Sequence, residues 1–336
     1  MSMVWVEFVV CAALIIWAGS LLSKYGDVLA DKTGLGRAWV GALLIAGVTS
    51  LPELASGISA VAWLKQPNLA AGAILGSCLF NLMLIAVIDL AYQPGRVLAQ
   101  THDGHILSSG LGILLLGLVA MGVLMGTPFH GAGVFGFSLI SISILVVYAL
   151  GARMISVVEQ ARQVEVLDEE ARAGDYAHIS AAKAYAFFIL SALAVVGLGI
   201  WLSYIGDRIA ATTSLSASFV GNLFLAASTS LPEIASSLAA IRIGAIDMAV
   251  ANVLGSNLFN VAILSIYDIA DGRANFWASL TEANGFAAIM TMMMTGVVIV
   301  SLMYRISPKT PYRLSWDGIL LLAMYIGSMT MLYLLG

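Results

Sequence analysis

Thr49-Ser50-Leu51-Pro52-Glu53 recurs without a change as Thr229-Ser230-Leu231-Pro232-Glu233, 180 residues further along the chain. Both copies lie inside strongly apolar segments, and each supplies the acidic residue near the middle of its segment. A carboxylate at the depth of a bilayer core is costly unless it has a cation, a proton or a polar cavity, so it marks a functional site by default. Two of them at matching places predict a single shared cation site.

The surrounding composition agrees. Of 336 residues, 60% are hydrophobic and 10% charged, with a mean hydropathy of +0.97. Soluble domains average about 25% charged residues, so lipid must solvate most of this chain. The formal charge of −4 comes with no basic patch suited to nucleic acid. Cys11 and Cys78 fall in separate apolar segments, which argues against a structural disulfide. The first apolar stretch, Val4 to Leu22, has no basic residue before it and no small-residue cleavage site. It reads as a retained helix, not a signal peptide.

A hydrocarbon core needs about 20 apolar residues per helix, and on that measure the chain holds ten spans. They fall at roughly 4–22, 38–63, 68–91, 105–125 and 129–151, then at 183–206, 218–241, 245–269, 283–304 and 315–335. At an offset of 180, residues 22–60 match residues 202–240 at 19 of 39 positions. Later, Gly76-Ser77-Cys78-Leu79-Phe80-Asn81 answers Gly255-Ser256-Asn257-Leu258-Phe259-Asn260. Five helices per half is odd, so the second copy enters the membrane from the opposite side. The expected fold is therefore an all-α integral membrane protein of ten transmembrane helices, built as two inverted five-helix repeats. Residues 1–152 form the first repeat, 153–182 a cytoplasmic linker and 183–336 the second repeat.

This layout sends 12 of the 15 Lys and Arg to one face and 3 to the other. Basic residues favour cytoplasmic loops, so the linker is placed in the cytoplasm and both termini outside, as in a prokaryotic inner membrane. The seven Trp lie mostly near span ends and read as interface anchors.

Proline inside a helix removes a donor and pushes on the carbonyl four residues earlier, so Pro52 and Pro232 loosen backbone beside each Glu. Thr49, Ser50, Thr229 and Ser230 add hydroxyls one turn away. In the second repeated motif, Ser77 with Asn81 and Ser256 with Asn260 are four apart and share a helical face. The summed donors are carboxylates, amide oxygens, hydroxyls and carbonyls. An all-oxygen set suits a hard cation, and Ca²⁺ takes six to eight oxygens. Mg²⁺ gives up its water reluctantly, and soft metals prefer thiolate or imidazole. His102, His105, His130 and His178 fall in loops or at span ends and read as solvated.

These motifs resemble the two alpha-repeats of the calcium/cation antiporter superfamily, above all the compact prokaryotic sodium/calcium exchangers. The resemblance extends over nearly the whole chain and implies exchange of Ca²⁺ for Na⁺ by alternating access, with no cofactor and no obligatory protein partner. It implies cation ligands from Glu53, Glu233, Thr49, Ser50, Ser77, Asn81, Thr229, Ser230, Ser256 and Asn260, with the carbonyls of Ala46 and Ala226. It also implies that the first and sixth helices slide as a gating pair. Two positions depart from the family pattern. Cys78 stands where Asn is usual, and Asn260 where some members carry Asp. With two ionisable ligands instead of three, H⁺ as counter-ion is the alternative to Na⁺.

Asp89 and Asp268, each eight residues beyond its motif Asn, read as acids solvated at the interface. Two other classes fit less well. An intramembrane hydrolase needs a base beside Ser50 or Ser230, and no His or Lys lies in a predicted helix interior. A channel needs rings of charge or carbonyls around a pore, which one pair of Glu does not build.

Overall fold

The computed structural model describes residues 2–34, 37–92, 95–125, 133–134, 137–169, 176, 179–212, 229–272, 276–305 and 315–335. The described chain is helical apart from a two-residue antiparallel pairing of Gly133–Val134 with Phe137–Ser138. In order the helices are α1 Ser2–Thr33, α2 Arg37–Ala62, α3 Pro67–Ala91, α4 Gly104–Leu124 and α5 Leu139–Glu169, then α6 Ala181–Thr212, α7 Leu231–Arg242, α8 Ile246–Asp271, α9 Glu282–Met303 and α10 Trp316–Leu335. Among the described residues, nine helices are long and apolar enough to cross a membrane. The expected span 218–241 is represented by α7, its earlier part lying outside the described residues.

Three helices run well past their expected ends. α1, α5 and α6 continue through polar sequence because those residues find partners. At the end of α1, the buried Asp27 pairs with Arg37 and accepts a 2.7 Å hydrogen bond from the Tyr176 hydroxyl. α5 begins at Leu139 instead of near 129, after the short β pairing, and continues through a stretch of good helix formers.

Polar contacts sort the loops into two ends. At one end lie Asp27 with Arg37, Trp39 with Ser156, and His102 with Glu159 and Asp247. Arg96, with Asp317 and the Tyr304 carbonyl, lies there too. At the other end Arg208 meets Glu7, Asn68 meets Ser279 and Thr281, and Asp268 meets Ser138. α8 is the most enclosed span, whereas α1, α6 and α10 show apolar side chains such as Trp17, Leu193 and Leu334 outward.

Close backbone approach holds α8 against α2. A Cβ on Gly255 would fall 2.2 Å from the Ala42 carbonyl oxygen, and one on Gly41 2.5 Å from that of Met248. Here α2 takes a π turn over Val40–Ile45, an irregularity common at functional sites. On the other side, α1 and α6 lie together across the Pro-Glu segments. Gly19 of α1 packs on Ala235 of α7, and Gly199 of α6 packs on Pro52 of α2. The glycines are 180 residues apart, so each half sends its first helix to the Pro-Glu helix of the other.

Candidate cation site

Pro52 and Pro232 each sit at the second position of a fresh helical segment, Leu51–Ala62 and Leu231–Arg242. The residue before each segment leaves helical geometry in the same way: Ser50 has φ −90° and ψ 3°, Ser230 φ −85° and ψ 3°. The missing proline N–H explains the interruption, and the two halves resolve it identically. Glu53 and Glu233 therefore sit in the first turn of their segments, where the orphan N–H groups favour negative charge.

The two segments converge. Ser50, three residues before Glu53, donates to Glu233 Oε1 at 3.3 Å. Thr49 and Ser256 also face Glu233, and Thr229 faces Glu53. Glu53 and Glu233 are close enough to repel each other. Ser77 Oγ approaches Thr229 Oγ1 at 3.5 Å. Thr49, Ser50, Glu53, Ser77, Asn81, Thr229, Ser230, Glu233, Ser256 and Asn260 are all at most 3% exposed.

Many of these atoms lack partners. Both Glu53 oxygens, Glu233 Oε2, Ser230 Oγ, Ser256 Oγ, Asn81 Oδ1 and both amide atoms of Asn260 are buried without a hydrogen bond among the described residues. Buried polar groups are normally satisfied, so a concentration of orphaned oxygens, two of them on one carboxylate, fits a cation-binding chamber. The sequence placed every one of these residues in its candidate set. The Ala46 carbonyl is more occupied than expected, since it accepts from the Ser50 N–H at 3.1 Å and from the Thr49 hydroxyl at 3.2 Å. Ala226 lies outside the described residues.

Two expectations are corrected. Asp89 and Asp268 are not solvated: they are 3% and 1% exposed. Asp89 accepts from the N–H groups of Val97 and Ser315, at 2.9 and 3.0 Å. Asp268 accepts from the N–H of Ser138 at 3.2 Å and the hydroxyl of Ser141 at 2.6 Å. Asp89 thus anchors the start of α10 and Asp268 the start of α5, which satisfies orphan helix donors. His105 is buried and pairs with Asp247 at 3.1 Å, while His102 lies against Glu159 and stacks on His105 at 4.6 Å. The Gly104 N–H donates to His102 Nδ1, leaving the neutral ring's proton on Nε2 beside the carboxylates. Proximity of α4, α5 and α8 buries His105, which loop position in sequence does not reveal. His130 and His178 lie outside the described residues. Of the Trp anchors, Trp5, Trp17, Trp63 and Trp201 are exposed, but Trp277 is buried and donates to Ser141 at 2.9 Å.

Sequence reasoning passed over two residues. Asn257 accepts from Asn81 Nδ2 at 3.1 Å and donates to the Cys78 carbonyl at 3.2 Å. Its signal was present as the mismatched position of the repeated motif. Tyr267 donates to the Glu53 carbonyl at 2.7 Å, and only Gly57 leaves room for its ring, since a Cβ there would lie 1.8 Å from the hydroxyl.

The described chain is a bundle of membrane-length helices that buries two carboxylates among hydroxyl and amide oxygens. A profile of the family described as "Sodium/calcium exchanger protein" matches residues 3–155 and 183–334, and the chain belongs to that family, within the calcium/cation antiporter superfamily. The inner membrane protein YrbG of Escherichia coli is 25% identical over 327 residues, covering 95% of this chain and 94% of its own. The putative antiporter CaxA of Alkalimonas amylolytica is 27% identical over 258 residues, covering 75% of this chain and 76% of its own. Among solved structures, the sodium-calcium exchanger NCX_Mj soaked with Na⁺ and no Ca²⁺ aligns at a TM-score of 0.70. That alignment covers 98% of this chain and 99% of NCX_Mj at 21% identity, and it establishes the shared fold. The protein is thus an integral membrane cation antiporter of the Ca²⁺-exchanging class, and its family is one of transporters, not enzymes.

Proposed function

We propose that the protein exchanges Ca²⁺ for Na⁺ by alternating access at the chamber between Glu53 and Glu233. The ligands in this reading are Glu53, Glu233, Thr49, Ser50, Ser77, Asn81, Thr229, Ser230, Ser256 and Asn260, with the Ala46 and Ala226 carbonyls. The observation that carries it is the convergence of two buried carboxylates, one from each half, amid hydroxyl and amide oxygens left without donors. Two ionised Glu neutralise one Ca²⁺ or two Na⁺. An empty site strands two charges in low dielectric, so the loaded chain switches between its two faces and the empty one does not. That difference couples the fluxes. Protons compete for the same oxygens, so acidification inhibits uptake.

The same reading takes the molecule as two inverted five-helix repeats, 1–152 and 183–336, joined by the linker 153–182. Thr212 belongs to the end of the bundle marked by Arg208 and Glu7, and Arg242 to the end marked by Asp247. These opposite ends support a tenth span. The two separate family matches, before and after the linker, support the duplication. The basic loops assign the linker end to the cytoplasm and both termini to the outside. α1 and α6, seated by Gly19 and Gly199 across the two Pro-Glu segments, are the pair that slides.

Radioactive Ca²⁺ uptake into proteoliposomes tests this. Uptake is expected under an outward Na⁺ gradient and not under a pH gradient alone. Uptake driven only by the pH gradient transfers the reading to a proton-coupled Ca²⁺ exchanger, the alternative that two ionisable ligands leave open. Uptake that needs no counter-ion sinks both.

A further inference from the structure

Four residues at the crossing of α3 and α8 form two equivalent pairs under the repeat: Cys78 corresponds to Asn257, and Asn81 to Asn260. The pairs are not equally equipped. Asn81 donates its Nδ2 to Asn257 Oδ1 at 3.1 Å, and Asn257 is itself fixed by donating to the Cys78 carbonyl at 3.2 Å. With its nitrogen committed, Asn81 has only its Oδ1 to turn elsewhere, and that oxygen is buried without a donor. In the other half the thiol of Cys78 faces Asn260. A thiol is a weak donor and a weak acceptor, and both Asn260 amide atoms are left without a hydrogen bond.

We propose that Asn257 and Cys78 are the positioning residues that set cation affinity. Asn257 locks the oxygen of Asn81 toward the cation, and Cys78 leaves Asn260 unlocked, so that Asn260 must be oriented by the cation itself. The inference rests on the exchanger reading above and specifies which ligand is preorganised. A ligand held in its binding geometry before the ion arrives adds affinity by removing an ordering cost. The chamber thus carries one fixed and one adjustable amide.

The test is the apparent KM for Ca²⁺ and the maximal uptake rate, measured under a Na⁺ gradient in proteoliposomes. Asn257→Cys leaves neither amide locked, and KM should rise about fivefold, what one net amide hydrogen bond is worth, with little change in maximal rate. Cys78→Asn in that background moves the lock to the other half and should restore the original KM. Cys78→Asn alone locks both amides and should lower KM about fivefold. A KM that does not respond to Cys78→Asn in either background overturns the proposal, as does a loss of maximal rate at constant KM. A wild-type chain inactive under the Na⁺ gradient sinks the exchanger reading instead. Cys78→Asn alone keeps the proposal falsifiable even where Asn257→Cys fails to fold.

Discussion

The Pro-Glu segment of α2 and that of α7 break the helix in the same way, and they differ in what surrounds the break. Ser50 and Ser230 leave the helix at almost identical torsions. Asp89 ties down the start of α10 and Asp268 that of α5. Around that shared frame the side chains diverge. Tyr267 braces the Glu53 carbonyl, and the repeat-equivalent residue is Ile88, which braces nothing. Arg96 forms a buried network with Asp317, Ser301 and the Tyr304 carbonyl at one end, where the other end uses Trp277 on Ser141. The proline breaks and the carboxylates are thus common to both segments, while the packing around them differs wherever one partner is enough to satisfy a given group.

The largest effect should come from the features the halves share. Glu53→Gln and Glu233→Gln should each abolish Ca²⁺ uptake, because either leaves a single charge for a divalent ion. Full activity in one of them would show that the halves do not contribute equally to the site. Next come the features that differ. Arg96→Met strands the buried Asp317 carboxylate, and breaking a buried pair costs about 3–5 kcal/mol. A large fall in thermal stability in detergent is expected, with partial recovery in Arg96→Met/Asp317→Leu. Trp277→Phe, at the other end, removes one neutral hydrogen bond and should cost only about 1 kcal/mol.

A smaller and symmetric effect is expected at the swapped anchors. Asp89→Asn and Asp268→Asn each place an amide where a charged acceptor met two donors, a loss of about 2 kcal/mol apiece. Matching decreases in melting temperature would support equivalent roles, and a loss confined to one would break the symmetry. The smallest effect belongs to Tyr267→Phe, about 1 kcal/mol or less in a membrane interior. Ile88 variants of similar size should be silent in the same assay.

Much of this was legible in the sequence, and the reason is physical. An acid next to a proline in an apolar run has an ordinary explanation when it occurs once, and its recurrence 180 residues later is what made Glu53 and Glu233 stand out without a structure. Helical spacing puts Ser77 with Asn81 and Ser256 with Asn260 on shared faces, a weak signal alone that gained weight from its repetition beside each Glu motif. The roles of Asp89, Asp268 and His105 did not follow, because a polar residue near a span end meets either solvent or a neighbouring helix. Only tertiary packing decides between them. The extensions of α1, α5 and α6 were hidden for a related reason: hydropathy marks where lipid ends, not where a helix does. Asn257 was visible only as a mismatch, and its meaning came from the helix that crosses it.

The central claim is that Glu53 and Glu233 share one divalent ion. Equilibrium Ca²⁺ binding to the purified protein in Na⁺-free buffer tests it most directly. The account predicts one high-affinity Ca²⁺ per chain, lost completely in either Glu53→Gln or Glu233→Gln. Two independent sites, or a single site that survives one of those substitutions with its affinity intact, would contradict it.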